Sequence, residues 1–502
     1  MRKIFGIFMV LLLFVFTVSL MGSTVRVLIP MDPKTLYPAD MSDNPSEEIC
    51  RHIYDGLVEF DENSNIHPAL AKSWELSEDG TVYTFHLVEG VKFHDGTPFN
   101  AEAVKVNFDK ILAGGLRRSS LFKPIVKEVR VVDEYTVQFV LYEPFGPFLN
   151  HLAHGAGLMV SPKVLEEYPK DEVWKHPVGT GPFKFVEWIK GDHIKLVANE
   201  DYWKGKPQID EIVFKIVPED ETRVLMLESG DAEVIERVPP IHVPRLQKSK
   251  NVDVIIWPSL TVRFVAMNTT KPPFNDKRVR QAIAYAINKD AICKALFRGY
   301  AKPADSVIAP LVNGYYSTGL YPYDPEKAKE LLKEAGYPNG FETNLYVAPT
   351  YHDVGVAIQG QLKMVGIDAK VVTLEWGTFL DAIYTDPEQA EWQMFIVGWS
   401  PSTADADWVV RPLFFSENRV PKGDNHTGYS SPVADELILA QMHETNPEKR
   451  KEFLKELQQV LMDDAPWAPI YVQDQLVAKT SKLENVKVLP IGVVIVKYAY
   501  FK

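Results

Sequence analysis

Around Trp257-Pro258 the texture of the chain changes, and that change limits the architectures open to it. Before this point short alternating stretches dominate. Residues 25–29, 136–141, 183–188, 193–197 and 209–217 read as strands. In 82–88, after the turn signal Asp79-Gly80, Tyr83, Phe85 and Leu87 fall on one side. Two helices are predicted among them. One covers 46–58 with Ile49, Ile53 and Leu57 on a stripe, and the other starts at the N-cap candidate Asn100 with Val104, Phe108 and Ile111 inward. From Asp276 onward helices take over: Asp324-Pro325 opens one that Gly336 closes, and Asn446-Pro447 opens the amphipathic 448–462. Strands at 343–347, 370–374 and 393–397 alternate with these helices, the pattern of a mostly parallel sheet. A chain of 502 residues is roughly three ordinary domains long. Two α/β lobes joined near 258–262 follow from this reading.

The N-terminus sets the compartment. Residues 1–22 carry Arg2 and Lys3, then an apolar run over 4–20, then the small residue Gly22. This is the make-up of an export signal. An uncleaved anchor is the alternative, because the run approaches the ~17-residue lower limit for a span. The strand-like TVRVLIP that follows at once favours a cleaved signal and a soluble periplasmic product, and no cysteine near the junction offers a lipid attachment point. Cys50 and Cys293 fall in different lobes, so no disulfide is expected between them. The formal charge of −13 becomes −15 once Arg2 and Lys3 are removed. Such a chain repels phosphate backbones and anionic lipid, which excludes nucleic acid as its partner.

Catalytic signatures are missing. The chain has no G-x-S-x-G, H-E-x-x-H, P-loop or G-x-G-x-x-G motif, and no nucleophile–base pair to support a secreted α/β hydrolase. Gly179-Thr180-Gly181-Pro182 reads as a turn before a strand, since proline removes a donor that a phosphate cradle needs. His151 and His154 have metal-ligand spacing but no carboxylate beside them, so a metal site is not expected. The most distinctive stretch is GWSPSTADADW, from Gly398 to Trp408. It follows a strand and opens a helix. Asp405 and Asp407 point to opposite sides if the segment is extended, and Asp405 suits a helix cap or dipole partner better than an acid–base pair. Loops at the carboxyl ends of strands are where open α/β sheets bind ligands. Trp399 then forms a wall, with Ser400, Ser402 and Thr403 as hydrogen-bonding groups.

The stretches ALAKSWELSEDGTVYTFHLVEGVKFHDGTPFNAEAV (69–104), VGTGPFKFVEW (178–188), MNTTKPPFNDKRVRQAIAYAI (267–287), YDPEKAKELLKEAGYPNGF (323–341) and EKRKEFLKELQQVLMDDAPWAPIYV resemble the extracytoplasmic solute-binding proteins that feed peptide and nickel ABC importers. They follow the family's order over nearly the whole mature chain. The resemblance implies an α/β fold: a two-lobe periplasmic-binding-protein clamp, type II-like (cluster C), with an extra β-rich subdomain in the first lobe. It implies a signal at 1–22, a first lobe of 23–258 plus 488–502 with the subdomain at about 60–175, and a second lobe of 262–485. The chain is expected to cross between lobes near 258–262 and 485–488. A monomer that closes on its ligand and docks on ABC permease subunits is implied, with neither cofactor nor enzymatic activity.

Ligand class is set locally in this family. Dipeptide- and oligopeptide-binding relatives place an aspartate three residues after the tryptophan of the Gly-Trp pair, where this chain has Ser402. Dipeptide binders also use an arginine for the ligand carboxylate at a helix start that corresponds to Tyr351-His352-Asp353. A buried ammonium without a counter-charge costs several kcal/mol, so those peptides do not simply transfer. GWSPSTADADWVVRPLF is instead similar to the matching stretch of glutathione-binding members. Glutathione or a short peptide is therefore the expected ligand, with an oligosaccharide or a nickel chelate as the alternative. The resemblance puts Trp399, Ser402, Thr403, Asp405 and Trp408 from the second lobe at the cleft. From the first lobe it adds Ser42, Asp43, Asn44, Ser46 and Glu47.

Overall fold

The computed structural model describes residues 23–502 apart from Leu320. The predicted export signal lies outside the described residues. An eleven-stranded sheet organises the chain. At one end Ile367–Thr373, Phe341–Val347 and Met394–Trp399 run parallel to one another. At the other lie Val234–Ile235, Thr24–Ile29, Glu211–Ile216, His193–Ala198 and Phe183–Ile189.

Two long strands, Val252–Met267 and Trp467–Thr480, join the two ends. They run antiparallel to each other, and the first is also antiparallel to Met394–Trp399. The expectation of a mostly parallel sheet is corrected accordingly: the sheet is mixed. A chain that passes from one half of the sheet to the other and back presents its two passes in opposite directions. Their pairing breaks between Pro258 and Val262, where proline supplies no ladder N–H. On the returning strand the matching residues are Asp474 and Val472. Lys479 and Ala478 already pair with Val234 and Ile235 in the other half of the sheet.

Residues 60–175 contribute nothing to this sheet. They build a separate four-stranded one, in which Val82–Leu87 alternates between buried and half-buried positions. Tyr83, Phe85 and Leu87 are its inward residues. Phe85 meets Phe139 edge-on at 5.6 Å, and Phe139 meets Phe108 of helix Ala101–Ala113 at 4.7 Å. Each such ring contributes roughly 2–3 kcal/mol by burial, with about 1 kcal/mol more from the edge-to-face geometry.

Local chemistry explains the helix starts. Asn100 accepts the amide of Ala103, Asp324 that of Lys327, and Asn446 those of Glu448 and Lys449. Each cap stabilises its helix by about 1 kcal/mol. The helix expected over 46–58 runs instead from Asn44 to Ile53. The carbonyl of Ile53 accepts the amide of Gly181, and a Cβ on Gly179 or Gly181 would overlap that carbonyl. The turn at 179–182 thus takes the carbonyl that another helical turn would use. Among the described residues no helix is long and apolar enough to cross a membrane.

Candidate functional site

The carboxyl ends of the three parallel strands lie along one edge. After Phe341–Val347 comes the short turn Pro349–Tyr351, after Ile367–Thr373 comes Glu375-Trp376, and after Met394–Trp399 comes the loop of Ser400 to Ala406. Trp376 is half exposed there and stacks on Phe379.

Arg263 lies at the same edge. On its strand it pairs with Gly398 on one side and Tyr471 on the other. A Cβ on Gly398 would come within 1.9 Å of the Arg263 Nη1, so the missing side chain is what lets the guanidinium lie across this strand. The guanidinium carbon is 5.6 Å from the centre of the Tyr351 ring. Burial pushes the Tyr471 hydroxyl well above its ordinary pKa, while hydrogen bonding and charge from Arg263 pull it back. Among the described residues no carboxylate forms an ion pair with Arg263. A partly exposed cation over an aromatic face, beside strand ends, is ready to take a carboxylate. Sequence reading missed it because Arg263 reaches Tyr351 only through strand register. The one available signal was the glycine opposite it.

The predicted loop residues divide into two groups. Trp399 ends its strand opposite Val262, at the break in the crossing, and donates Nε1–H to the carbonyl of Trp408 at 2.7 Å. Ser402 is partly exposed on the turn, and Thr403 is buried with its Oγ1 lacking any hydrogen-bond partner among the described residues. Trp399 and Ser402 keep part of their surface open, whereas Thr403 is enclosed. Asp405 is saturated: its two oxygens take Arg450 at 2.6 and 2.8 Å, and Oδ1 accepts the amide of Asp407. It therefore serves the helix Asp407–Phe414 as an anchor. Asp407 is likewise engaged by Arg411 and Gln441.

The loop also touches the first part of the chain. Asn150 donates Nδ2–H to the carbonyl of Thr403 at 3.1 Å, and Trp408 meets His151 edge-on at 5.6 Å. Of the residues expected from that side, Asp43 caps the helix that starts at Asn44, accepting Ser46 N and Oγ. Ser46 in turn accepts Lys34 N and Thr35 N. Asn44 donates to the carbonyls of Ile491 and Gly492, and Glu47 is buried against Arg51 at 2.6 Å. Against the opposing effect of burial, the Arg51 charge and hydrogen bond hold the Glu47 carboxyl below its ordinary range. Ser42 alone of the five has no side-chain hydrogen bond among the described residues.

The two histidines with metal-ligand spacing are both buried. His151 Nδ1 bonds the carbonyl of Leu121, and His154 Nδ1 accepts the amide of Ala156. Burial lowers their pKa values to about 4 and about 3. Among the described residues no group of three or more His, Cys, Asp or Glu could hold a metal. Cys50 and Cys293 are both free and buried.

The profile described as bacterial extracellular solute-binding proteins, family 5 Middle, matches residues 65–420. The chain belongs to bacterial extracellular solute-binding protein family 5. A family 5 relative, the glutathione-binding protein GsiB of Escherichia coli O1:K1, is 38% identical over 463 residues, covering 91% of this chain and 90% of its own. Among solved structures, HbpA2 from Haemophilus parasuis superposes with a TM-score of 0.87 at 28% identity, covering 95% of this chain and all of its own. The periplasmic binding protein DppA from Helicobacter pylori, in complex with the peptide STSA, gives 0.78 at 32% identity, with 96% and 98% covered. The family 5 fold is thus the two-lobe α/β clamp. Its residue-level contacts here tie Asp405, Asp43, Asn44, Ser46 and Glu47 into the scaffold, enclose Thr403, and leave Arg263, Tyr351, Trp376, Trp399 and Ser402 partly open along the edge.

Proposed function

We propose that this protein is the exported, periplasmic ligand-capturing subunit of an ABC importer, and that it takes a short peptide or glutathione-like solute between its lobes for delivery to membrane permease subunits. The observation that carries the ligand class is Arg263, a cation at the strand edge that pairs with no carboxylate among the described residues. It is the counter-charge that a ligand carboxylate needs. It supplies the arginine missing at Tyr351-His352-Asp353, from a different strand but over the same tyrosine. Trp399 and Tyr351 form apolar walls, and the hydroxyl of Ser402 supplies a neutral hydrogen bond where peptide-binding relatives use a carboxylate. The likeness to glutathione-binding and peptide-binding proteins supports the same reading.

The lobes are taken as 23–258 with the C-terminal segment, and 262 onward. The pairing of Pro258 with Asp474 and of Val262 with Val472 supports a return crossing at 472–474 rather than at 485–488. The reading is tested by titration calorimetry of the mature protein with reduced glutathione and with di- and tripeptides. One of these is expected to bind at one site per chain, and Arg263→Ala is expected to weaken it by roughly 2–5 kcal/mol. Undiminished affinity in that variant would remove Arg263 from the site.

A further inference from the structure

A cavity of about 630 Å³ lies away from the strand edge, between the hairpin Val58–Phe60 and Ile66–Pro68 and the C-terminal hairpin Lys487–Leu489 and Val493–Ile495. Its charges look balanced: Glu59, Asp61 and Glu62 face Arg51, Lys487 and Lys497. Hydrogen-bonding capacity is not balanced. Asp61 accepts the amides of Asn63 and Asn65, the Asn65 side chain and His67. Glu62 takes Lys487 at 3.1 Å, and Glu59 takes Lys204 at 2.9 Å. Asp61 is therefore saturated, while Glu59 and Glu62 each commit one oxygen to a lysine.

Of the cations, Lys487 is paired with Glu62, whereas Lys497 and Arg51 keep donors free. The Lys497 side chain is 7% exposed, and its Nζ stands 3.7 Å from Glu59, beyond hydrogen-bonding distance. The ammonium sits 5.2 Å from the Tyr498 ring centre and donates no hydrogen bond to the described residues. Arg51 commits Nε and Nη2 to Glu47 and Ala153, which leaves Nη1 uncommitted. Lys497 and Arg51 thus keep donors to offer an acceptor held in this cavity. The acceptors left for a cation are one oxygen each of Glu59 and Glu62. The volume falls within the range of small-molecule sites.

We propose that this cavity is a second binding site, separate from the interlobe edge, for a small oxyanion bearing carboxylate or phosphate groups, with Lys497 as its buried anchor and Lys487 at its rim. The site is tested by calorimetry with succinate and with inorganic phosphate on the mature chain and on Lys497→Met, Lys487→Met and Arg263→Ala. At least one anion is expected to bind at one site per chain. Lys497→Met should weaken it by at least about tenfold and Lys487→Met by a few-fold, with Arg263→Ala unchanged. The preferred probe distinguishes a carboxylate ligand from a phosphate.

Absence of saturable binding up to roughly 10 mM of either anion overturns the proposal, because the cavity then holds water alone. Binding that is lost in Arg263→Ala and kept in Lys497→Met also overturns it, by moving the anion to the strand edge. Should Lys497→Met not fold, Lys487→Met and a competition decide. Protein saturated with the peptide or glutathione found by the earlier screen should still bind the anion with unchanged stoichiometry, and displacement of one by the other counts against a separate site. Failure of the glutathione or peptide reading leaves these anion measurements unaffected.

Discussion

Trp399 is held by a single hydrogen bond to the Trp408 carbonyl while its ring remains partly open. Trp399→Ala removes a large apolar contact, and we expect a loss of roughly 2–4 kcal/mol in ligand affinity by calorimetry. Ser402→Asp restores the carboxylate of the peptide-binding relatives. We expect it to lower affinity, because the partly exposed Ser402 offers a hydroxyl donor to an accepting group on the ligand. A rise in affinity would show a ligand ammonium at this position. The Gly-Trp-Ser stretch was legible because its composition and its place after a strand are local facts. The role of Asp405 was only half legible. Its bond to the amide of Asp407 is a near-neighbour contact, but its partner Arg450 arrives from another helix, and nothing near Asp405 in sequence announces it.

The helix Asn44–Ile53 carries two buried groups with opposite pH behaviour. Glu48 is buried beside Glu236, and desolvation together with that second carboxyl raises its pKa well above the ordinary value. A raised carboxyl favours the fold while protonated, below its unfolded value of ~4.3, and that contribution is lost as pH climbs through the folded value. His52 is lowered to about 3 by burial, its Nδ1 bonding the Glu48 carbonyl while Nε2 accepts the amide of Val496. It favours the fold above its unfolded value of ~6.5, and this is lost on acidification toward its folded value. We therefore expect Glu48→Gln to stabilise the protein at pH 8 by about 1–3 kcal/mol and to do little at pH 4, read from urea midpoints. An equal shift at both pH values would rule out a protonated Glu48. Helix starts were legible at this scale because Asn100, Asp324 and Asn446 act on amides two or three residues away. The end of the helix at Ile53 was not, since a turn more than a hundred residues later fixes it.

Two strands pass between the halves of the molecule, and their ladder is irregular at the level of residues 258–264, broken between Pro258 and Val262 and shifted again between Arg263 and Phe264. Motion about that level should change the overall dimensions. Small-angle scattering with and without the calorimetric ligand is expected to give a smaller radius of gyration when bound, and superimposable curves would contradict closure. The change of texture at Trp257-Pro258 made the first pass visible in sequence. The return strand Trp467–Thr480 changes partners without a break, and its polar Gln473-Asp474-Gln475 stretch carries no turn signal, so the place of the change is set by register and not by local sequence. The contacts across the gap carry a further meaning. The bond from Asn150 to Thr403, the edge contact of His151 with Trp408 and the amide of Gly146 on the carbonyl of Met442 involve no ligand atom. Where they form only on closing, they set how long the shut state lasts. Weakening them, for instance with Asn150→Ala, would shorten ligand residence time with every ligand contact intact, so that the speed of handover to a permease and the choice of cargo are written in different residues.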